Sequence, residues 1–336
     1  MDNSRVHKGL FILLLILLIA TVVIALTKGA ASIELSIVVK TLINGPANDT
    51  TSRIIWQLRF PRVLTSVVAG AILAVSGMVY QALFRNPMAD PYVLGISSGG
   101  AFGVSIAAYF GLLGAAGGIW KIPIAAFVGA FGSATLILLL ANRSRGNQTT
   151  LLLFGVALNF LLSALMTLFM FLNRSQLQSI LQWSMGSFAT ASWQKVAIIT
   201  SIAIFSLIPI LFFTRELDIL LTDESSALSM GVEINKVRTI LLLFTTLATS
   251  VTVSFCGVIG FVGLMVPHIM RLIVGPRHKR LFIFSLVGGA LITLLSDTIA
   301  RLIVAPSELP VGIITSIAGS PLFFFLVFNS RKRSSV

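Results

Sequence analysis

Ten apolar runs, each close to the roughly 20 residues a helix needs to cross a bilayer, occupy residues 10–27, 63–84, 93–113, 122–141, 151–172, 196–213, 237–256, 257–271, 281–300 and 311–328. Hydrocarbon offers no partner to a backbone N–H or C=O, so segments of this length must satisfy their own groups as helices. The predicted fold class is therefore an all-α integral membrane protein of about ten transmembrane helices. Charged residues make up 10% of the chain, against about 25% in a soluble domain, which excludes an ordinary soluble globule. The eighth run is short and carries Gly260, Gly263 and Pro267. It is expected to lie among other helices rather than against lipid.

Between the second and third runs lies Gln81 to Gly100, in which Pro87, Pro91, Gly95, Gly99 and Gly100 break the helical pattern. A passive anchor has no need of such a hairpin. Non-helical backbone at this depth must be buried in protein or line an aqueous path, so a transport route is the natural reading.

Basic residues set the orientation. With both termini cytoplasmic, 15 of the 24 Lys and Arg, among them Arg5, Lys8, Arg277, Lys279 and Arg280, fall in cytoplasmic segments. The net charge of +13 is then explained by flanks facing anionic headgroups and calls for no nucleic acid. The first apolar run is too long for a secretory signal, and Thr27-Lys28-Gly29 is a poor cleavage site, so it reads as a retained helix. Cys256 is the only cysteine, which rules out an intramolecular disulfide and a cysteine metal cage. No long linker or low-complexity tract divides residues 1–336, which read as a single transmembrane domain with short loops.

Several local patterns carry chemistry. Arg59-Phe60-Pro61-Arg62 opens the second run, with Pro61 suited to a first helical turn and the two arginines sharing a face. Arginines at a membrane boundary commonly snorkel to headgroups. Two on one turn of the outer side, joined by Arg301, instead suit an acidic partner. Asp297 stands four residues before Arg301 and is expected to pair with it. Ser66, Gly70 and Ala74 form a small-residue stripe that lets another helix approach closely.

Five of the eleven acids, Glu216, Asp218, Asp223, Glu224 and Glu233, crowd one cytoplasmic segment. Within it, Asp223 can cap a short helix and Gly231 can end it, with Ala227, Leu228 and Met230 as apolar contacts. Its plain alternative is a solvated loop. The stretch from Gly257 to Arg271 reads as a structural kink at Pro267, because no carboxylate neighbours His268 to make a metal site. Gly95-Ile96-Ser97-Ser98-Gly99 matches the serine-nucleophile pattern G-x-S-x-G but lacks the strand-turn-helix setting. No phosphate-binding G-x-x-x-x-G-K-[ST] loop occurs, so nucleotide chemistry belongs to another chain.

Arg59 to Arg62, Phe84 to Pro91 with Leu94 to Gly99, Gly257 to Arg271, and Glu308-Leu309-Pro310-Val311-Gly312 together resemble the FecCD family over nearly the whole chain. Members are permease subunits of ABC importers for ferric siderophores, haem and vitamin B12. The resemblance implies a type II ABC importer permease fold in a bacterial or archaeal cell membrane. It further implies a second permease subunit, two cytoplasmic ATPases that carry ATP and Mg, and an extracytoplasmic substrate-binding protein. By similarity Arg59, Arg62 and Arg301 dock the binding protein, and Asp223, Glu224, Ala227, Leu228, Met230 and Gly231 belong to the ATPase-coupling helix. Asn86, Pro87, Met88, Gln148 and Thr149 fall near the cytoplasmic gate. Trp183 to Ser187 also looks familial, without an assigned role. No catalytic residue, resident cofactor or metal site is expected on this chain. A ferric siderophore is the first choice of cargo, with cobalamin or haem next. The rival class is an ion-coupled secondary transporter, which would need carboxylates or broken helices at mid-membrane.

Overall fold

The computed structural model describes residues 3–29, 31–112, 120–143, 148–221 and 233–333, which form helices and connecting turns with no strand among them. Chain order gives α1 (Asn3–Thr27), α2 (Leu35–Asn44), α3 (Thr50–Arg53), a π-helical stretch (Ile54–Arg59), α4 (Phe60–Leu83), α5 (Ile96–Tyr109), α6 (Lys121–Arg143) and α7 (Gln148–Leu172). There follow α8 (Leu177–Ser184), α9 (Trp193–Phe212), α10 (Thr214–Leu220), α11 (Ile234–Cys256), α12 (Val262–Val274), α13 (His278–Leu302) and α14 (Val311–Arg333). Each of the ten apolar runs overlaps one of these helices, though the runs at 93–113 and 257–271 begin before theirs. Among the described residues, seven helical segments are long and apolar enough to cross a membrane, the longest being the 34 residues of Thr50–Leu83. The eighth run is the 13-residue α12, with Pro267 inside it.

The chain packs as two compact units. The first comprises residues 1–75, 187–200 and 259–336. Its centre is α13, against which α1, α12 and α14 pack. The expected small-residue stripe works within this unit: a Cβ on Gly70 would lie 2.2 Å from the carbonyl oxygen of Gly289 in α13. On Gly289 it would lie 2.2 Å from the Gly70 carbonyl, so only glycine lets these two backbones touch.

One helix departs from expectation. Pro61 does not open a helix but lies inside the continuous Thr50–Leu83 segment. A proline there lacks an N–H and crowds the carbonyl four residues back. The preceding turn widens instead, so that Phe60 N–H donates to the Ile55 carbonyl five residues back. In that register the carbonyl of Trp56 faces Pro61 and has no main-chain donor. Trp193 Nε1–H supplies one at 2.9 Å, and its ring packs 5.3 Å from those of both Trp56 and Phe60.

The second unit comprises residues 76–186 and 201–258. Here α5, α6 and α7 pack on one another, and α11 packs on α5 and α6. Glycines again set the approach, since a Cβ on Gly129 would lie 2.1 Å from the Gly99 carbonyl oxygen. Gly257, with φ +71°, ends α11 where a Cβ would meet the Trp183 carbonyl oxygen at 2.0 Å. That gives the unassigned Trp183 to Ser187 stretch a packing role at Trp183 and Gly186.

Candidate functional site

The three arginines singled out in the sequence converge in the first unit. Arg59 ends the π-helical stretch, Arg62 follows one turn later in α4, and Arg301 closes α13. They line a cavity of about 740 Å³ together with Gly29, Glu34 and Glu308. All three side chains are largely buried rather than spread on an open face.

Their hydrogen bonds explain how burial is tolerated. Arg62 forks onto Asp297, with Nη2 at 2.8 Å from Oδ1 and Nε at 3.0 Å from Oδ2, while its Nη1 donates to Glu308 Oε2 at 2.8 Å. Arg301 Nε stands 3.4 Å from Asp297 Oδ2. Asp297 therefore does contact Arg301 as the i,i+4 spacing suggests, but its close, bidentate partner is Arg62. The sequence reading missed this because the two are separated by 235 residues.

Arg59 and Arg301 share a second task. The last turn of α1 leaves carbonyls without intrahelical donors and contains no basic residue of its own. Arg59 Nη1 donates to Leu26 O at 2.7 Å, its Nη2 donates to Ala31 O, and Arg301 Nη1 donates to Ala25 O at 3.2 Å. Two cations thus cap the negative end of α1, where charge and helix dipole agree. A cluster of three guanidiniums faces the carboxylates of Asp297 and Glu308, the first almost fully buried and the second 42% exposed.

The hairpin of the second unit is satisfied mainly by amides, hydroxyls and main-chain groups, without an ion pair among the bonds that follow. Arg85 takes a left-handed φ of +47° and turns the chain, and its Nε and Nη2 donate to Leu220 O at 3.1 and 2.9 Å. Asn86 Oδ1 accepts from Met88 N–H and Asp90 Oδ1 from Tyr92 N–H, each at 2.8–2.9 Å, in local Asx turns. Asn159 of α7 donates to the carbonyls of Val93 and Gly155 at 3.1 and 2.9 Å and accepts from Ser98 Oγ at 2.6 Å. Ser133 of α6 donates to Gly95 O at 2.8 Å. Of the two sequence-level options, the base of the hairpin is buried in protein, while the Asn86-Pro87-Met88 tip is partly to fully exposed. Ser98, part of the nucleophile-like pattern, is thus engaged by an amide. Burial lifts the Asp90 carboxyl to about 6 against the opposing effect of its Tyr92 bond.

Gln148 and Thr149 open α7. Asp223, Glu224, Ala227, Leu228, Met230 and Gly231 lie outside the described residues. No group of three or more His, Cys, Asp or Glu that could hold a metal occurs among the described residues.

Apolar helices of crossing length, buried ion pairs and a hydrogen-bonded hairpin between two of the helices define a multi-pass membrane protein built for more than anchorage. The profile of the FecCD transport family matches residues 16–329, and the chain belongs to that family. It is 38% identical to the hemin transport system permease protein HmuU of Yersinia pestis over 99% of both chains. Against the vitamin B12 import system permease protein BtuC of Salmonella typhi it is 37% identical, over 83% of this chain and 84% of that one. A metal-chelate type ABC transporter solved in an inward-facing conformation superposes with a TM-score of 0.85 at 33% identity, covering 96% of this chain and 99% of the other.

Proposed function

We propose that the chain is a permease subunit of an ATP-driven ABC importer that moves a metal chelate, with a ferric siderophore as first choice of cargo, into the cytoplasm. The observation that carries this reading is its likeness to a hemin permease over 99% of the chain and to a vitamin B12 permease over 83% of it. Vitamin B12 and haem are the alternative cargoes. The working assembly pairs it with a second permease subunit, two ATPases that bind ATP and Mg, and a binding protein on the outer face, in a cell membrane with both termini inside.

In this reading the chain does no hydrolysis. ATPase closure moves the Asp223 to Gly231 segment as a lever, and the Asn86 to Met88 tip with Gln148 and Thr149 borders the cytoplasmic closure. Arg85 supports a mechanical link, because its guanidinium ties the base of that tip to the last carbonyl of α10, just before the lever. On the outer face, the arginine-lined cavity receives a carboxylate of the binding protein. Arg62 is the arginine best suited to exchange partners, since Glu308 holds its Nη1 from a half-exposed position. Arg59 and Arg301 are committed to the end of α1.

The test is uptake by proteoliposomes containing the permease pair, with ATPases and binding protein added or withheld, using labelled ferric siderophore, cobalamin and haemin in parallel. ATP-dependent uptake that needs both companions supports the reading, and the preferred label names the cargo. Carriage of any of the three by the permease alone would overturn it. Arg62→Glu is expected to cut uptake while ATPase assembly survives, and Leu228→Asp to uncouple hydrolysis from uptake.

A further inference from the structure

A second cavity, of about 700 Å³, lies wholly within the second unit between α5, α6 and α7, and nothing in the transport reading uses it. Its lining is apolar apart from Lys121 and Ser133. The Ser133 hydroxyl is already committed to the carbonyls of Gly95 and Ala130 at 2.8 and 2.9 Å. Water has no reason to fill such a space.

Its shape follows from the sequence of α6. Lys121, Ile124, Val128, Gly132 and Leu136 recur at helical spacing along one face, and the last four are exposed. The fifteen steps from Lys121 to Leu136, at about 1.5 Å each, make a furrow about 22 Å long, which exceeds the roughly 15 Å depth of one bilayer leaflet. Glycines make it a furrow rather than a ridge. Gly103 and Gly129 bring α5 and α6 into backbone contact, whereas a Cβ on Gly132 would meet nothing within 4 Å. The walls are raised by Phe102 of α5 and Leu158 of α7.

We infer that this furrow binds one acyl chain of a membrane phospholipid whose anionic headgroup sits against Lys121. The apolar length takes the chain, and the single cation among the lining residues stands at the N-terminal end of α6, where that helix begins. Charge complementarity selects an anionic over a zwitterionic headgroup. A second copy of this chain, or any apolar protein surface, would have no need of a lysine at one end.

The assembled importer is reconstituted in phosphatidylcholine nanodiscs doped with phosphatidylglycerol that carries a photoreactive diazirine on one acyl chain. Labelling is expected to concentrate on residues 124–136 and to fall at least severalfold in Gly132→Phe, which fills the furrow. Lys121→Gln is expected to reduce the preference for phosphatidylglycerol over an equally labelled phosphatidylcholine by about fivefold while leaving labelling of the furrow in place. Val128→Trp narrows the furrow from its rim and gives a second route to the same loss if Gly132→Phe does not fold. The inference is overturned if residues 124–136 are labelled no more densely than the exposed Ile204 and Phe205 of α9 and Phe160 and Phe171 of α7. Undiminished labelling in Val128→Trp would also overturn it, as would efficient disulfide formation between Ile124→Cys in two copies, which would place protein in the furrow.

Discussion

The arginine cavity and the hairpin solve one problem by opposite means. Both hold polar groups in a chain built for hydrocarbon. The first unit uses full charges drawn from distant parts of the sequence, so that Arg62, Asp297, Glu308 and Arg301 depend on one another. The second relies mainly on amides and hydroxyls, with Asn159 donating to the Val93 carbonyl and Ser133 adding a bond to the Gly95 carbonyl, and its one guanidinium, Arg85, meets a neutral carbonyl rather than a carboxylate. Burying an ion pair gains little net stability, yet leaving half of one buried is expensive. A neutral network has smaller stakes on both sides. The charged region is therefore expected to be brittle to single changes and the hairpin more forgiving.

Asp297→Ala offers the sharpest way to break that contrast. It leaves Arg301 without a carboxylate and Arg62 with only the half-exposed Glu308, and a loss of about 3–5 kcal/mol is expected in unfolding by denaturant in detergent. Arg62→Met combined with Asp297→Leu should recover most of it, because both charges leave at once. Equal losses in the single and double variants would show that packing, not charge, governs the cavity. On the hairpin side, Asn159→Leu removes the side-chain donor to the Val93 carbonyl and the close acceptor of Ser98 Oγ. About 1–3 kcal/mol is expected by the same measurement. A loss as large as that of Asp297→Ala would erase the distinction.

The contrast also explains what could be read from sequence. Hydropathy located the helices because lipid rewards long apolar runs regardless of what they touch. The Ser66, Gly70 and Ala74 stripe announced a close helix, since small side chains have few other uses at that spacing. The hairpin was visible through its prolines and glycines. Pairings made across the chain left no such mark. Arg62 with Asp297, and Trp193 with the orphaned Trp56 carbonyl, join residues more than a hundred positions apart, and a local rule favoured Arg301 as the partner of Asp297. The widened turn before Pro61 was hidden for a related reason: proline fits a first turn so well that the sequence suggested a helix start, while α3 had already begun it at Thr50.

The hairpin carries its own pH dependence. The carboxyl of Asp90 is raised from 3.8 to about 6 in the folded chain, so between those values the native state holds more proton than the unfolded state. Stability from this group is fully present below about pH 4 and is lost as pH rises toward 6, with no further change above. Amide exchange at residues 86–95 should accelerate over that window beyond its intrinsic increase. Asp90→Asn keeps an acceptor for Tyr92 N–H and should flatten the profile. An unchanged profile would assign the dependence to another group.

The smallest effect is the most informative about function. Glu308 binds Arg62 from a half-exposed position, and such pairs contribute about 0–1 kcal/mol. Glu308→Gln should therefore barely move stability, and what little it removes should vanish at high salt. If the cavity receives a carboxylate of the binding protein, however, Glu308 competes for the same guanidinium edge, and neutralising it should tighten docking by a few fold at low ionic strength. Binding of the cognate binding protein to nanodisc-held complex, titrated across salt, separates the two outcomes. Weaker docking in Glu308→Gln would mean that Glu308 orients Arg62 for its partner rather than occupying the partner's place. The charged region would then be a rigid template instead of an exchangeable one.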